Sequence, residues 1–386
     1  MNCCPLVSLK LENGWTDLAN FATNFSYYGI RGLEYNMARV PIGGSDFSTH
    51  PYAYNELPVN DVHLTNFTLA PEDFQFKVIF QLSEDLPMIH HIMNTSKVPV
   101  DIVATTWSPP PWMKNNNEFT GFSRLRTEYY QTYSDYHVKF LQKYKSEGVS
   151  IWGITTTNEP IDGVFNLVPF NSLGWTSAEM VVNNLGPTIR NSEFKDLKIL
   201  TCDDQRYTIP TWFAGVSSKK FELFYLYIDG IGVHFYGDKV SPAHYLDMVT
   251  NKYPDKFILA TEACEGEFKS WHPVQRSLPL VNSYIIKKLS AFQDLNHNIV
   301  GWIDWNLCLD SEGGPNWAKN FVDSPIIVFA DKQEFYKQPM YYALGHISKF
   351  IPRQSYRIAV ETSEGSDNSV AFVTPRNTTV IVLYNE

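Results

Sequence analysis

Cysteine is scarce. Cys3, Cys4, Cys202, Cys264 and Cys308 are spread over 386 residues, too few and too scattered for a disulfide framework or a zinc site, so buried thiols are expected. Basic charge is also short. Lys and Arg number 31 against 41 Asp and Glu, a net charge of −10, and nucleic acid as a partner is excluded because it demands a basic footprint. No apolar run reaches the ~18 residues that a membrane-crossing helix needs. Repeats and low-complexity tracts are missing, and a charged content of 19% beside 44% hydrophobic residues leaves no stretch that reads as disordered. The first ten residues, MNCCPLVSLK, lack a basic region followed by an adequate apolar stretch, so no signal peptide is expected. Sequons at Asn24, Asn66, Asn94 and Asn377 pull the other way, towards a secretory route.

What is present is a large apolar fraction cut into short runs. EYNMARVPIGG (34–44), VDIVATTWSPP (100–110), VSIWGITTTNEP (149–160), DLKILTCDDQ (196–205), IDGIGVHFYGD (228–238), KFILATEAC (256–264) and NIVGWIDWNL (298–307) have near-continuous β-branched or apolar bodies, as strands buried on both faces do. Each then turns polar or aromatic, at Asp46, Trp107, Glu159, Asp204, His234, Glu262 and Asp304 respectively. Helical spacing lies between them, most clearly in 127–148, where Gly148 is a stop signal, and again in 177–191 and 283–295. Strands alternating with helices predict parallel βαβ units. Polar residues gathered at successive strand ends predict a (β/α)₈ barrel with its site at the C-terminal mouth. Seven staves are visible where eight are needed. LVSLKLE (6–12) alternates with period two, suiting a half-exposed antiparallel strand better than a stave, and 369–386 has a hairpin pattern around Pro375, Arg376 and Asn377.

Two glutamates at strand ends, Glu159 and Glu262, would face each other across a barrel mouth. Paired carboxyls suit glycoside hydrolysis, one as acid/base and one as nucleophile, with a separation of roughly 5–5.5 Å for retention and roughly 6.5–9.5 Å for inversion. Each is equally readable as an acid that merely ends a strand in solvent. From the residues alone, Trp107, Trp112, Trp302 and Trp305 are read as core aromatics before site residues, and His234 as a satisfied core histidine. Asp203, Asp204 and Arg206 are expected to form one structural ion-pair cluster, and Asp304 to orient a neighbour. Cys264 is expected to pack beside the site.

The ordered set RVPIGGSDFST, WSPPPWMK, TTTNEP, LTCDDQR, GVHFYGD, ATEAC, GWIDWNL and GGPNWAKNFVDSPI resembles the glucosylceramidases, the acid β-glucosidases of glycoside hydrolase family 30. FYKQPMYYALGHISKFIP (335–352) extends the resemblance, which runs from about Gly29 to the C-terminus. It implies a TIM-type barrel catalytic domain over 29–350, partial β-sandwich strands over 351–386, and a segment of uncertain origin over 1–28. It further implies a retaining double displacement on glucosylceramide, with Glu159 as acid/base and Glu262 as nucleophile. Asn158 would hold the sugar 2-hydroxyl; Asp46, Trp107, Trp305 and Asn320 would hold the glucose; His234 and Tyr236 would flank the nucleophile. Phe170 would lie near the aglycone entrance. No cofactor or metal is implied. A saposin-type activator, a peripheral membrane encounter and a lysosomal location are.

The chain departs from the family at Glu267, where a small polar residue is usual, and at Phe235, where the family has tryptophan. The family's Gly-Phe-Gly-Gly first barrel strand has no counterpart, so a seven-stave barrel with two unpaired edges is expected. The alternative to an active enzyme is a relative that binds glycolipid without turning it over.

Overall fold

The computed structural model describes residues 32–74, 88–96, 98–174, 176–214, 219–264, 290–361 and 369–384. Seven parallel strands form one curled sheet in simple sequential order: β1 (Met37–Ile42), β2 (Asp101–Thr106), β3 (Gly153–Thr155), β4 (Lys198–Gln205), β5 (Gly230–His234), β6 (Phe257–Glu262) and β7 (Ile299–Trp302). All seven staves read from the sequence are present, each lying within its apolar run. Every neighbouring pair is parallel, which the intervening helices permit by returning the chain to the same end.

The helices cover the outer face. Helix Tyr130–Ser146 presents Tyr133, Tyr136, His137, Phe140, Leu141 and Tyr144, all buried, at the three- and four-residue spacing that makes one stripe. It packs into the same core as Ile102, Ala104, Ile154 and Ile199 of the sheet. The helix ends at Gly148, whose φ of +78° is the left-handed conformation that glycine adopts most easily. On the other side, Ile231, Val233, Ile258 and Ala260 pack with Leu246 and Val249 of helix His244–Lys252.

The inner face is stratified. Val103, Leu200, Leu259 and Ile303 form an apolar plug with Met37, Trp152 and Phe257. Further along the strands Arg39, Thr105, Thr155, His234 and Thr261 are joined by hydrogen bonds through Asp203 and Thr155, a polar layer over an apolar floor. Strict alternation from Leu200 would point Cys202 inward and Asp203 outward. A bulge between Cys202 and Asp204, with φ of +68° at Cys202 and +51° at Asp203, reverses this. Cys202 joins the outer core, and Asp203 enters the polar layer.

Two small sheets complete the described chain. β8 (Cys308–Asp310), β9 (Ile326–Phe329) and β10 (Glu334–Lys337) form one, which the sequence patterns did not suggest because its strands are only three or four residues long. β11 (Tyr356–Ile358), β12 (Ser369–Val373) and β13 (Thr379–Leu383) form the other, and its β12–β13 pairing is the expected hairpin. The 6–12 segment, Glu267 and most of 283–295 lie outside the described residues. Among the described residues the outer edges of β1 and β7 carry no strand. A cavity of about 1130 Å³ runs between them, walled by Met37, Val40, Val300 and Gly301 and reaching Trp305 at the mouth.

Candidate active site

Arg39, Asp203 and His234 organise the mouth of the barrel. The Arg39 guanidinium, buried inside β1, donates to Glu262 Oε2 at 2.5 Å, to Asn158 Oδ1 at 2.6 Å and to Asp203 Oδ2 at 2.9 Å. It also lies 4.8 Å from the ring centre of Trp107, within cation–π range. Asp203 receives hydroxyl donors from Thr155 at 2.7 Å and Thr261 at 2.6 Å. Burial would push its carboxyl up, but Arg39 and His234 hold it well below the usual carboxylate range.

Glu159 follows β3 at the start of helix Pro160–Phe165. Its backbone is left-handed, φ 36° and ψ 62°, a conformation that costs a non-glycine residue energy and is retained where the surroundings fix it. The surroundings do so here. Its N–H donates to the Asp203 carbonyl at 2.9 Å, Pro160 opens the helix, and Gln205 Nε2 donates to Oε1 at 2.7 Å. The helix itself is held by close backbone contact. A Cβ on Gly163 would lie 2.1 Å from the Gly174 nitrogen, an overlap with backbone that only movement can relieve. Gly163→Ala is expected to cost about 3 kcal/mol, the upper range for overpacking, measured as a lowered urea midpoint with an unchanged slope. Activity should fall with it because Glu159 rides on that helix.

Glu262 ends β6. Besides Arg39, its Oε1 accepts from the Tyr236 hydroxyl at 2.7 Å, and the same hydroxyl lies 3.1 Å from Cys264 Sγ, so the thiol packs beside the site. Burial raises the Glu262 carboxyl, and His234 and Arg39 oppose it. His234, fully buried, places Nδ1 2.9 Å from Glu159 Oε1 and Nε2 3.2 Å from Asp203 Oδ1. Carboxylates on both nitrogens fit the imidazolium, which has two donors. Burial alone would lower its pKa, yet Glu262 and Glu159 lift it well above 6.5. One carboxyl oxygen from each glutamate and one His234 nitrogen lie within 4.8 Å of one another. Three such groups could close on a cation. Here the Arg39 guanidinium and the His234 imidazolium already neutralise them, so the donor set does not fit a metal.

The other residues singled out from the sequence surround this centre. Asp46 accepts from Asn320 Nδ2 at 2.8 Å, and burial pushes its carboxyl up to about 7. Trp107 and Trp305 stack with centroids 4.9 Å apart, and Phe47 meets Trp305 edge-on. Asn158 is fixed by Arg39 and by donating its N–H to the Thr106 carbonyl. Phe170 is buried, beside Asn171, whose amide reaches the Gly44 carbonyl. Trp112 is a core aromatic, its indole N–H on the Asn55 carbonyl, and Asp304 orients the Trp302 indole.

One expectation is overturned. Asp203, Asp204 and Arg206 are not a single cluster. The bulge separates the two aspartates, and Arg206 sits elsewhere, bonded to Asp294 at 2.9 Å and close to Asp238. Arg39, Asp203 and Gln205 were passed over as functional candidates. For Arg39 a signal existed, since a lone arginine inside an otherwise apolar stave must meet a carboxylate. For Asp203 none did, because the bulge is invisible in the pattern.

A parallel barrel with two buried carboxyls at the C-terminal mouth, one ending a strand and one just past another, is the arrangement of a glycoside hydrolase. The chain belongs to glycosyl hydrolase family 30: the model of that family's TIM-barrel domain matches residues 14–351. It is 40% identical to the lysosomal acid glucosylceramidase of Mus musculus over 369 residues, 93% of this chain and 69% of that protein. A putative glucosylceramidase 3 of Caenorhabditis elegans is also 40% identical, over 92% of this chain and 67% of its own length. Among solved structures, SrfJ from Salmonella typhimurium superposes with a TM-score of 0.83 at 22% identity, covering 96% of this chain and 78% of SrfJ; that likeness concerns the fold alone.

Proposed function

We propose that the chain is a retaining β-glucosidase acting on glucosylceramide, with Glu262 as nucleophile and Glu159 as acid/base. The observation that supports the retaining reading is that one carboxyl oxygen of each glutamate lies within 4.8 Å of the other, which favours the closer of the two carboxyl separations that glycosidases use. The division of roles follows from their partners. Glu262 carries a guanidinium and a phenol donor on its two oxygens, which oppose the rise that burial gives its carboxyl and aim it as a nucleophile. Glu159, at the start of a helix turn, takes its hydrogen bonds from Gln205 and His234 and has no guanidinium hydrogen-bonded to its carboxyl among the described residues. In the first half-reaction a Glu262 oxygen bonds to the anomeric carbon as the glycosidic bond breaks, and the departing oxygen takes a proton through Glu159. In the second, Glu159 takes a proton from water, the water oxygen bonds to that carbon, and the ester to Glu262 breaks. Asn158 would hold the 2-hydroxyl, while Asp46, Asn320, Trp107 and Trp305 would hold the remaining hydroxyls and the ring face, since a sugar's C–H face packs on an aromatic ring.

The ceramide aglycone, a lysosomal location and a saposin-type activator at a membrane surface rest on identity with proteins named glucosylceramidase. Exposed Phe122, Phe165 and Leu167 are chemically suited to a lipid surface beside the mouth. The experiment is hydrolysis of glucosylceramide in anionic vesicles against a fluorogenic β-glucoside and a β-xyloside, with a cyclitol epoxide to trap the nucleophile. Label on Glu262 and preference for the glucosides are expected. Absence of both label and turnover in folded protein overturns the reading. Glu159→Gln is expected to lower kcat by about 10²–10⁴-fold on a poor leaving group, the usual worth of general acid catalysis.

A further inference from the structure

Gln205 is the last residue of β4, and the double displacement leaves it without a task. The bulge that turns Asp203 into the mouth turns Gln205 in as well, two residues on. Its register partner on β5 is His234, and paired positions on adjacent strands point to the same face, so the two side chains enter the mouth side by side. Both reach one atom. Gln205 Nε2 lies 2.7 Å and His234 Nδ1 2.9 Å from Glu159 Oε1. The end of β4 also grips the backbone there: the Asp203 carbonyl accepts the Glu159 N–H, and Asp204 Oδ2 accepts the Ile161 N–H, at 2.9 Å each.

The amide cannot be turned round. Gln205 Oε1 accepts the Gly237 N–H at 3.1 Å, and a backbone N–H only donates, so the amide nitrogen is the atom that faces Glu159. His234 is a donor there too. Its Nε2 meets Asp203 Oδ1 at 3.2 Å while its Nδ1 meets Glu159, and an imidazolium gives each carboxylate an N–H. A carboxyl oxygen has two lone pairs, and these two N–H groups take both on Oε1. A proton placed on that oxygen would have to displace one of them. The titratable groups around Glu159 include His234 and Tyr236 from β5 and its loop, Asp162 on its own helix, Asp204 on β4, Arg39 on β1 and Glu262 on β6. Gln205 does not titrate. Its donor is present at every pH, whether Glu159 acts as acid or as base.

We infer that Gln205 is the positioning residue that decides which oxygen of the acid/base carries the catalytic proton: with His234 it fills Oε1, so the proton is held and transferred on Oε2. The inference rests on the proposed glycosidase reading. In the first half-reaction the Glu159 Oε2–H bond breaks and its proton bonds to the departing oxygen, which receives the electron pair of the broken C–O bond. Glu159 is left as a carboxylate whose Oε1 already has two donors. In the second, one proton of the attacking water bonds to Oε2 while the water oxygen bonds to the anomeric carbon. Gln205 touches no substrate in this scheme; it acts through Glu159. It also ties the two halves of the site together, because Gly237, held on the Gln205 amide oxygen, directly follows Tyr236, which donates to Glu262.

Gln205→Leu keeps most of the volume and removes the donor. A lone pair of Oε1 is then open to the proton, which spreads over both oxygens. On an alkyl β-glucoside kcat/KM is expected to fall about 10-fold, a part of what general acid catalysis supplies. On 2,4-dinitrophenyl β-glucoside, whose leaving group needs no proton, the loss should be far smaller. The alkaline limb of kcat/KM should move to higher pH by about one unit, because an N–H donor that favours the ionised carboxyl is gone. Gln205→Glu keeps an acceptor for Gly237 but sets a carboxyl where the donor stood, so it should move that limb further in the same direction. Equal loss on both leaving groups, as a general loosening of the fold would give, or a limb unmoved in both variants overturns the inference. A second measurement needs neither activity nor a variant: neutron diffraction from wild-type crystals equilibrated in heavy water at the acidic end of the activity profile. Deuterons on Gln205 Nε2 and His234 Nδ1 should point at Oε1, with the carboxyl deuteron on Oε2. A carboxyl deuteron on Oε1, or no deuteron from Gln205 directed at it, overturns the inference. Should the wild type fail to hydrolyse any β-glucoside, the glycosidase reading falls while the neutron result still decides where Glu159 holds its proton.

Discussion

Glu262→Gln is expected to abolish turnover, lowering kcat by at least about 10⁴-fold, the scale on which removal of a covalent nucleophile acts. Gln is isosteric and can still meet Arg39 and Tyr236, so the site stays assembled. It cannot form the ester, because an amide oxygen is a weak nucleophile. The variant should therefore fold normally and bind the sugar, but fail to react with a cyclitol epoxide. A smaller residue separates the roles further. Glu262→Gly with added azide should yield the α-glucosyl azide, because the anion enters through the space the nucleophile vacated. Glu159→Gly with azide should yield the β-anomer, because the anion then attacks the ester from the opposite face. Identification of the two azides by NMR checks the assignment, and exchanged anomers would reverse it.

Arg39→Met is expected to cost about 3–5 kcal/mol of stability, the usual price of removing one partner from a buried ion pair. The Arg39 side chain is 2% exposed, and its two carboxylate partners, Asp203 and Glu262, are 0% and 6% exposed. Methionine fills the volume but leaves those charges unpaired in low dielectric, where each must protonate or draw in water. Arg39→Lys keeps a charge without the planar fork that serves Glu262, Asn158 and Asp203 together. It should fold, but with the nucleophile less well compensated. The sign follows from the role: burial raises the Glu262 carboxyl and Arg39 holds it down, so a weaker cation lets it rise. The acidic limb of kcat/KM should then move to higher pH. Urea unfolding of the methionine variant and the pH profile of the lysine variant check both statements. A loss below about 1 kcal/mol would mean that the guanidinium only breaks even against its desolvation.

The barrel was legible because its information is local. Each stave is a short apolar run, each run turns polar or aromatic at its end, and helical spacing fills the gaps; neither register nor long-range contact is needed to see it. β8, β9 and β10 escaped because strands of three or four residues carry no periodicity. Arg39 was passed over although the sequence displays it within RVPIGG, since its importance depends on four partners drawn from β2, β3, β4 and β6 or the loops that follow them.

By itself, the sequence determined the seven parallel staves, the hairpin at 369–383, and the two glutamates whose strand positions face each other across a barrel mouth. These follow from alternation, apolar run length and the end at which each strand turns polar. Tertiary structure alone decided the bulge that turns Asp203 inward, the separation of Arg206 from the aspartates beside it, the sharing of one guanidinium between Glu262 and Asp203, and the distance between the two carboxyls. The reason is physical: charge balance in a low-dielectric centre is set by distances of a few ångströms between residues far apart in the chain, and a linear sequence does not contain those distances until the sheet has curled.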